Sequence, residues 1–240
     1  MKLKSIISVI LIAIGIIIAS YPIVKDVYTG YMQRKVLKEW EEGMKQQAGQ
    51  SGEADAESSR EAVNSYLSLD EAFSDLDENE ANIEETGSEE KEKKTNKSYV
   101  TLGVIKIDKI DCTLPILDGT TPEILKIGAG KLAGTTDIGE IGNTAISAHR
   151  SHTYGRNFNR LNEVEEGDIV VISTSDADYT YEVFNIQVVE PSDVSLLKKS
   201  KTESILTLIT CHPLYIASHR LIVQARLIST TYHNTENPES

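Results

Sequence analysis

Three residues of this sequence carry the side chains that nucleophilic attack on a carbonyl group requires. Cys211 and His149 each end a strand-like run, and Arg220 begins another. A thiol becomes a strong nucleophile when a base or a cation lies close to its thiolate. A histidine can act as general acid and base, and the donor fork of an arginine can bind a developing oxyanion. These residue types predict a catalytic site if the fold brings them together.

The elements that must position these residues are strand ends. Ile205 to Thr210 form a strand-like run before Cys211, and Pro213 follows, where strand pairing stops. The short loop after the proline would lead into an antiparallel neighbour that places Arg220 opposite the thiol. His149 would come from the end of a third strand. The pattern predicts that all three residues meet at one accessible rim of a barrel.

The second cysteine is expected to be a packing residue. Cys112 lies between Ile110 and Leu114 at a two-residue period, which places all three side chains on one face of a strand. A structural disulfide between Cys112 and Cys211 is the alternative, and it would consume the only candidate nucleophile. The sequence favours two separate thiols.

Residues 99–231 are predicted to form a mainly β domain, a closed barrel of about eight strands with one or two short helices. Thr121 would cap one helix, with Pro122 at its first position and Gly128 at its end. Seven strand-like runs support the barrel, namely Val100–Ile107, Cys112–Ile116, Thr144–Ala148, Asp168–Ser173, Tyr179–Val189, Ile205–Cys211 and Leu221–Ile228.

A membrane anchor is predicted at the N-terminus. Residues 5–24 contain no charged side chain, and a helix of that length, rising ~1.5 Å per residue, crosses the ~30 Å hydrocarbon layer. Lys2 and Lys4 keep residues 1–4 cytoplasmic under the positive-inside rule. The expected topology is a single-pass cell-membrane protein with an extracytoplasmic domain. A cleaved secretory signal is the alternative, although its apolar core is normally shorter.

The chain between the anchor and the barrel is predicted to be a spacer. Its first part, residues 25–42, has a loosely helical pattern, whereas residues 43–98 are acidic and poor in large apolar side chains. Such a segment buries too little surface to offset its ordering entropy, so we expect a disordered linker. One short amphipathic helix within it could dock on the domain through Leu67, Leu69, Phe73 and Leu76. Residues 232–240 form a polar tail.

The charge pattern argues against nucleic acid and gives little support for a metal. The net charge is −13, and no cluster of basic residues could neutralise a run of phosphates. A zinc site at His149, His152, Cys211 and His212 would lack the CxxC or HExxH spacing of such sites. Calcium is conceivable at one acidic turn, but charged turns are commonly just solvated. That turn carries Glu163, Glu165, Glu166 and Asp168.

Three motifs resemble those of the sortase family. Thr207–Cys211 reads TLITC and is similar to the family's TLxTC signature at its nucleophile. Ser218–Val223 resembles its arginine strand, and Asn143–Arg150 resembles its histidine motif. Phe158–Leu161 and Val164–Asp168 are similar to the segment that usually follows. The motifs stand in the family's order and at family-like separations, so the resemblance covers about residues 99–231.

The resemblance implies a two-step transpeptidation without a cofactor, although some sortases bind calcium. Cys211 would attack the threonine carbonyl of an LPxTG-like sorting signal on a surface protein and form a thioacyl enzyme. His149 would serve as general acid and base, and Arg220 would steady the oxyanion. Thr210 would contact substrate through its backbone or hydroxyl. The acceptor would be an amine of a peptidoglycan precursor or a pilin lysine.

Two other functional classes remain open at this point, a hydrolytic cysteine peptidase and a non-catalytic surface-binding barrel. Within the family, pilin-polymerising members often have a second membrane helix and an N-terminal lid with an Asp-Pro-aromatic motif. Neither feature is found in this sequence. Their absence favours attachment of proteins to the cell wall over pilin polymerisation.

Overall fold

A closed barrel of eight strands forms the body of the protein. The computed structural model describes residues 53–76 and 99–233 of the 240-residue chain. Neighbouring strands around the barrel follow the order β1-β2-β3-β4-β7-β8-β6-β5. The strands are β1 (Thr101–Ile107), β2 (Cys112–Asp118), β3 (Ala129–Lys131), β4 (Gly142–Ala148), β5 (Ile169–Ser173), β6 (Ala177–Val189), β7 (Ser204–His212) and β8 (His219–Tyr232). This barrel confirms the predicted fold class.

Strands β4, β7 and β8 lie side by side and form the part of the wall that matters for the site. β7 pairs parallel with β4 on one side and antiparallel with β8 on the other. A parallel pair needs a long connection, and here the whole of β5 and β6 lies between β4 and β7 in the chain. The ends of β4 and β7 therefore point in the same direction.

Both faces of this part of the wall are buried. Leu206, Leu208 and Val223 point into the barrel core. Ile209 and Ile222 alternate with them, so they point to the outer face of the wall, yet they are fully buried as well. A second layer of the protein must therefore cover the outer face.

A helical segment before the barrel, which we call the covering segment (residues 53–76), reaches this side of the wall, where Asp70 and Phe73 contact Arg220. Helix α1 spans Glu53–Leu67, and residues 69–76 are also helical. The segment buries one apolar stripe, made of Ala62, Val63, Tyr66, Leu69, Ala72, Phe73 and Leu76. Leu69, Phe73 and Leu76 of the amphipathic helix that the sequence suggested are buried in this stripe, whereas the expectation of disorder across residues 43–98 does not hold for residues 53–76. The apolar stripe supplies the burial that offsets their ordering entropy.

The small helices agree with the capping signals in the sequence. Helix α2 (Pro122–Ile127) begins after Thr121, whose side-chain oxygen accepts a hydrogen bond from the backbone N–H of Ile124 at 3.5 Å. Gly128 follows its last residue as predicted. Short 3-10 turns occur at Asp108–Ile110, Leu161–Glu163 and Ser195–Leu197.

One strand, β3, was not predicted from the sequence. β3 is only three residues long and consists of Ala-Gly-Lys, so it has neither the length nor the β-branched side chains that mark a strand.

Among residues 53–76 and 99–233, no helix is long and apolar enough to cross a bilayer. The predicted anchor at residues 5–24 and the predicted helix at residues 25–42 lie outside the described residues.

Candidate active site

Cys211 and Arg220 lie directly opposite each other on neighbouring strands. They are register partners in the antiparallel β7–β8 pair, and residues in that relation have Cβ atoms about 4.5–5.5 Å apart on the same face of the sheet. The connection between the strands turns at the cis peptide His212-Pro213. The predicted pairing of the thiol strand with the arginine strand is confirmed.

His149 reaches the same place from β4. The β4–β7 pairing runs from Gly142 opposite Ser204 to Ser147 opposite Ile209. The same offset of 62 residues continues at the strand end, where the Thr210 hydroxyl donates to the carbonyl of Ala148 at 2.8 Å. One residue further, this register sets His149 beside Cys211. The strand pairing therefore brings the imidazole, the thiol and the guanidinium together.

These three residues lie on the outer face of the wall rather than at an open barrel mouth. Leu208 and Ala148 point into the core, so Cys211 and His149 point outward by the two-residue alternation of a strand. They are not accessible in this conformation: the exposed fractions are 4% for Cys211, 3% for His149 and 3% for Arg220. The three residues gather at strand ends as predicted, but the prediction that this site is accessible is wrong for this conformation.

The covering segment reaches the site through Asp70 and Phe73. The carboxylate of Asp70 binds Nη2 of Arg220, and the guanidinium lies 5.2 Å from the centre of the Phe73 ring. Nη1 of Arg220 donates to the carbonyls of Ala217 at 3.0 Å and His219 at 2.9 Å. These contacts occupy Nη1 and Nη2 of Arg220, so a substrate carbonyl that approaches Nη2 competes with Asp70.

The other end of the covering segment is attached to the loop after β3. Ser58 Oγ donates to the carbonyl of Gly134 at 2.8 Å, and Ser65 Oγ accepts from the N–H of Ala133 at 3.3 Å. Gly134 has φ of +72°, and a Cβ there would collide with the carbonyl oxygen of Ser58. This close backbone approach requires a glycine. The segment is thus held at two separate places on the barrel.

Tyr66 lies between these two attachments and adds a polar group to the site. Its side chain is fully buried, and burial raises the pKa of its hydroxyl far above the ordinary value. The positive charge of Arg220 lowers this pKa and the charges of Asp70 and Cys211 raise it. Tyr66 therefore faces the site as a neutral phenol at physiological pH.

Arg150 is a site residue that the sequence did not single out. Its side chain is buried, and its Nη1 donates to the carbonyl of Cys211 at 3.1 Å and contacts Nδ1 of His212 at 3.1 Å. Nε donates to the carbonyl of Asn159 at 3.3 Å, and Nη2 donates to Oδ1 of Asn162 at 2.6 Å. The only signal in the sequence was its place directly after His149.

Asp70 and Phe73 were also missed as site residues. The sequence pattern places Phe73 on the apolar face of an amphipathic helix, and Asp70 lies three residues earlier, within the reach of one helical turn. Nothing in the local pattern marks Asp70 apart from the many other acidic residues of this region. Thr210, predicted to contact substrate, is fully buried with its hydroxyl bound to Ala148. A substrate contact through Thr210 stays a prediction.

The loop before Arg220 places an aromatic group beside the site. The ring of His152 lies 6.5 Å from that of His149 and 4.5 Å from that of Tyr215. Tyr215 is well exposed and has φ of +69°. These rings form an aromatic edge between the buried imidazole and solvent.

Cys112 is the packing residue that the sequence predicted. It belongs to the barrel core, and its Sγ lies 3.6 Å from the carbonyl oxygen of Asn157. Burial raises the pKa of this thiol to about 11, so it is protonated and unreactive at neutral pH. No disulfide joins Cys112 to Cys211.

The acidic turn considered for calcium is paired with basic side chains. Arg160 binds Glu163 at 2.7 Å and Lys109 binds Glu165 at 3.1 Å. Asp168 accepts a hydrogen bond from the N–H of Glu165 at 2.8 Å. Within residues 53–76 and 99–233, no three His, Cys, Asp or Glu side chains converge as a metal site. The chemistry of the site rests on the thiol, imidazole and guanidinium.

A thiol opposite a guanidinium and beside an imidazole, on the wall of a closed β-barrel, is an arrangement of groups that can perform acyl transfer through a thiol. Comparison with known proteins identifies the family. The family model for the Sortase domain matches residues 105–228, which is more than half of the chain, and the chain belongs to the sortase family. Enzymes of this family are cysteine transpeptidases.

Individual relatives show how far the similarity extends. Sortase D of Bacillus subtilis (strain 168) is 28% identical over 212 residues, which cover 88% of this chain and 90% of that protein. The structure of sortase A from Corynebacterium diphtheriae is 32% identical with a TM-score of 0.53, covering 59% of this chain and 65% of that one. The Group B Streptococcus pilus island 1 sortase C2 is 32% identical with a TM-score of 0.51, covering 55% and 77%.

Proposed function

We propose that this protein is a membrane-anchored transpeptidase that cleaves an LPxTG-like sorting signal and transfers the acyl fragment to an amine. The observation that carries the proposal is the pairing of Cys211 with Arg220, together with the β4–β7 register that brings His149 to the same end. Nucleophile, acid/base and oxyanion donor then come from three neighbouring strands of a rigid barrel. Such preorganised groups are what acyl transfer requires.

The reaction proceeds in two balanced steps. The Cys211 thiolate attacks the threonine carbonyl, the C–N bond breaks, and the departing amine takes a proton from His149. The acyl fragment remains on sulfur as a thioester. An incoming amine then attacks the thioester and gives a proton to His149, and the thiolate leaves. Arg220 donates hydrogen bonds to the oxygen that becomes negative in each step.

The acceptor in this proposal is an amine of a peptidoglycan precursor, with a pilin lysine as the second candidate. Surface proteins that carry the sorting signal are the donors. Residues 5–24 hold the chain in the cell membrane with the barrel outside, where both substrates are found. This topology is supported by the uncharged length of that segment and by Lys2 and Lys4 before it.

The decisive experiment incubates the full chain with a labelled LPxTG-like peptide and an excess of amine. We expect a thioester on Cys211, detected by mass spectrometry after rapid acid quenching, and an amide product that requires the amine. Cys211→Ala must abolish both, and Cys112→Ala, which changes the other thiol, must keep both. Production of free acid alone in abundant amine would identify a hydrolase instead. Product formation by Cys211→Ala would remove the thiol from the reaction.

A separate experiment tests the membrane anchor. We expect the full chain to fractionate with membranes and a chain that begins at residue 53 to remain in the aqueous fraction. External protease should digest the barrel of intact protoplasts if the barrel is extracytoplasmic. Protection of the barrel would contradict the proposed topology.

A further inference from the structure

The buried guanidinium of Arg150 ties the nucleophile to the loop that follows the histidine. Its contacts to the Cys211 carbonyl and His212 come from the end of β7, and its contacts to Asn159 and Asn162 come from the chain after His149. One planar group thus spans the two chain segments that carry the proposed nucleophile and the proposed acid/base. A shift of either segment would break some of these bonds.

The acceptors around Arg150 leave its charge in place. The carbonyls of Cys211 and Asn159 and the amide oxygen of Asn162 are neutral. Nδ1 of His212 accepts from Nη1, so the imidazole is neutral too, and burial, Arg150 and His219 lower the pKa of His212. By contrast, the charge of Arg220 is compensated by Asp70. Neutral acceptors fix the direction of a guanidinium without cancelling its field.

We propose that Arg150 is a positioning residue for the acyl transfer, which fixes the backbone of Cys211 and holds an uncompensated positive charge beside its thiolate. The inference rests on the proposed function, because it assigns Arg150 a part in the same reaction. Burial lowers the pKa of Arg150, and the charge on Cys211 acts in the opposite direction. An attraction between two charges is mutual, so the guanidinium favours the thiolate.

The other charged and titratable groups that the described residues bring around Cys211 act differently from Arg150. Tyr66 is neutral, and the Asp70 carboxylate offsets the charge of Arg220. The imidazole of His149 must gain and lose its proton during the cycle, so its charge is not constant. On the elements around the thiol, these groups include Tyr66 and Asp70 of the covering segment, His149 after β4, His212 of β7, and His219 and Arg220 of β8.

The shape of arginine matters as much as its charge. Nε, Nη1 and Nη2 donate in three directions in one plane, whereas a lysine ammonium is a compact point charge on a flexible stem. A lysine at position 150 would keep the positive charge but could not hold both chain segments. The two parts of the proposal, charge and positioning, are therefore separable by substitution.

The test measures the rate at which iodoacetamide modifies Cys211 of the full chain from about pH 5 to about pH 10, read at peptide level by mass spectrometry. The variants are Arg150→Met and Arg150→Lys. The matched control is Arg160→Met, which removes a guanidinium bound to Glu163 on the same loop. Melting temperatures confirm that each variant is folded. Peptide transfer is measured in parallel as kcat and KM.

We expect Arg150→Met to react about tenfold more slowly than the unchanged protein near pH 6 and equally fast at high pH, because the thiolate is less populated without the charge. Arg150→Lys should keep the alkylation profile within about threefold while its kcat falls about tenfold or more and KM changes little. Arg160→Met should leave the profile unchanged.

If folded Arg150→Met shows the same pH dependence of Cys211 alkylation as the wild-type protein, Arg150 does not stabilise the thiolate. The same conclusion follows if Arg160→Met changes this pH dependence as much as Arg150→Met does. Full kcat in Arg150→Lys would overturn the positioning part, and this variant decides alone if Arg150→Met does not fold. Alkylation needs no peptide. If the wild-type protein is alkylated at Cys211 but transfers no peptide, the proposed function is refuted. The alkylation rates of the variants would still decide whether Arg150 stabilises the thiolate.

Discussion

The carboxylate of Asp70 binds the guanidinium of Arg220 across a separation of 150 residues in the chain. Arg220 is buried, whereas the Asp70 side chain is 44% exposed. The pair therefore joins the covering segment to the residue opposite the nucleophile. In this conformation the oxyanion donor of the proposed reaction already has an anionic partner that belongs to the protein itself.

Asp70→Asn should open the site. The substitution leaves the buried guanidinium of Arg220 without its carboxylate. Because Asp70 is half-exposed, we expect the docked state of the covering segment to be destabilised by about 1–2 kcal/mol. The open population then grows about 5- to 30-fold, and iodoacetamide should modify Cys211 faster by the same factor.

The control for this change is Glu71→Gln, which removes one negative charge from the exposed side of the same helical stretch. We expect the alkylation rate of Cys211 to stay within about twofold of that of the unchanged protein. Equal acceleration by both substitutions would show that general charge, rather than the pair with Arg220, controls access.

Gly134→Ala should release the other end of the covering segment. The added methyl group collides with the carbonyl of Ser58 in helix α1. We expect faster amide hydrogen exchange in residues 53–76 and faster alkylation of Cys211, with the barrel amides unchanged.

Gly155→Ala is the matched control for this steric effect. Gly155 has φ of +74° and nothing within 4 Å of a Cβ. Both variants pay about 1–2 kcal/mol for a left-handed alanine, and only Gly134→Ala adds the collision, so only Gly134→Ala should expose residues 53–76. If both variants expose residues 53–76 to the same degree, the contact between Gly134 and Ser58 does not hold the segment.

Thr210→Val tests whether the alignment of the β4 and β7 ends affects kcat independently of the free energy of unfolding. The change removes the hydrogen bond to Ala148, and Thr207→Val removes a second β7–β4 hydrogen bond, to Oδ1 of Asn143. Each should lower the free energy of unfolding by about 1–2 kcal/mol in urea titrations. Only Thr210→Val should lower kcat, by about ten- to a hundredfold, since His149 follows Ala148 directly. An equal loss of kcat in both variants would contradict this.

Cys112→Ala should change how stability responds to alkaline pH. Burial raises the pKa of this thiol from 9.0 to about 11, so the unfolded chain loses its proton first. Below about pH 9 the thiol is protonated in both the folded and the unfolded state and does not affect the free energy of unfolding. As pH rises from about 9 to about 11, the unfolded state releases the proton first, and the free energy of unfolding falls by up to about 2 kcal/mol. Urea unfolding at several pH values measures this loss.

The variant lacks that titration and should lose less stability across this window, after an initial cost of about 1 kcal/mol at pH 7 for the lost packing. Tyr66 and Tyr181 also have raised pKa values, but they contribute equally to both proteins. Stability curves that remain parallel up to pH 11 would show that Cys112 does not titrate in this way.

The strand runs and the three motifs were readable from the sequence because they rest on local patterns. β-branched runs bounded by turn residues predicted seven strands, and the capping residues around Pro122 predicted helix α2. The order of Cys211, His149 and Arg220 on strand ends also follows from the chain. These features depend on neighbours only a few residues away.

The direction in which the site faces could not be read in the same way. β4 and β7 are buried on both faces, so their residues lack the polar alternation that marks inside and outside. A continuous apolar run looks the same whichever face meets the core. The sequence therefore suggested an open rim, and the structure shows a covered outer face.

What the sequence by itself determined is the barrel, its strand ends and the chemical types of Cys211, His149 and Arg220. Only the tertiary structure decided that Asp70 and Phe73 close over Arg220 and that Arg150 holds the carbonyl of Cys211. The physical reason is the separation, along the chain, of the residues that contact each other. A strand or a cap is stabilised by adjacent residues, whereas these contacts join segments about 60 to 150 positions apart that only the closed barrel brings together.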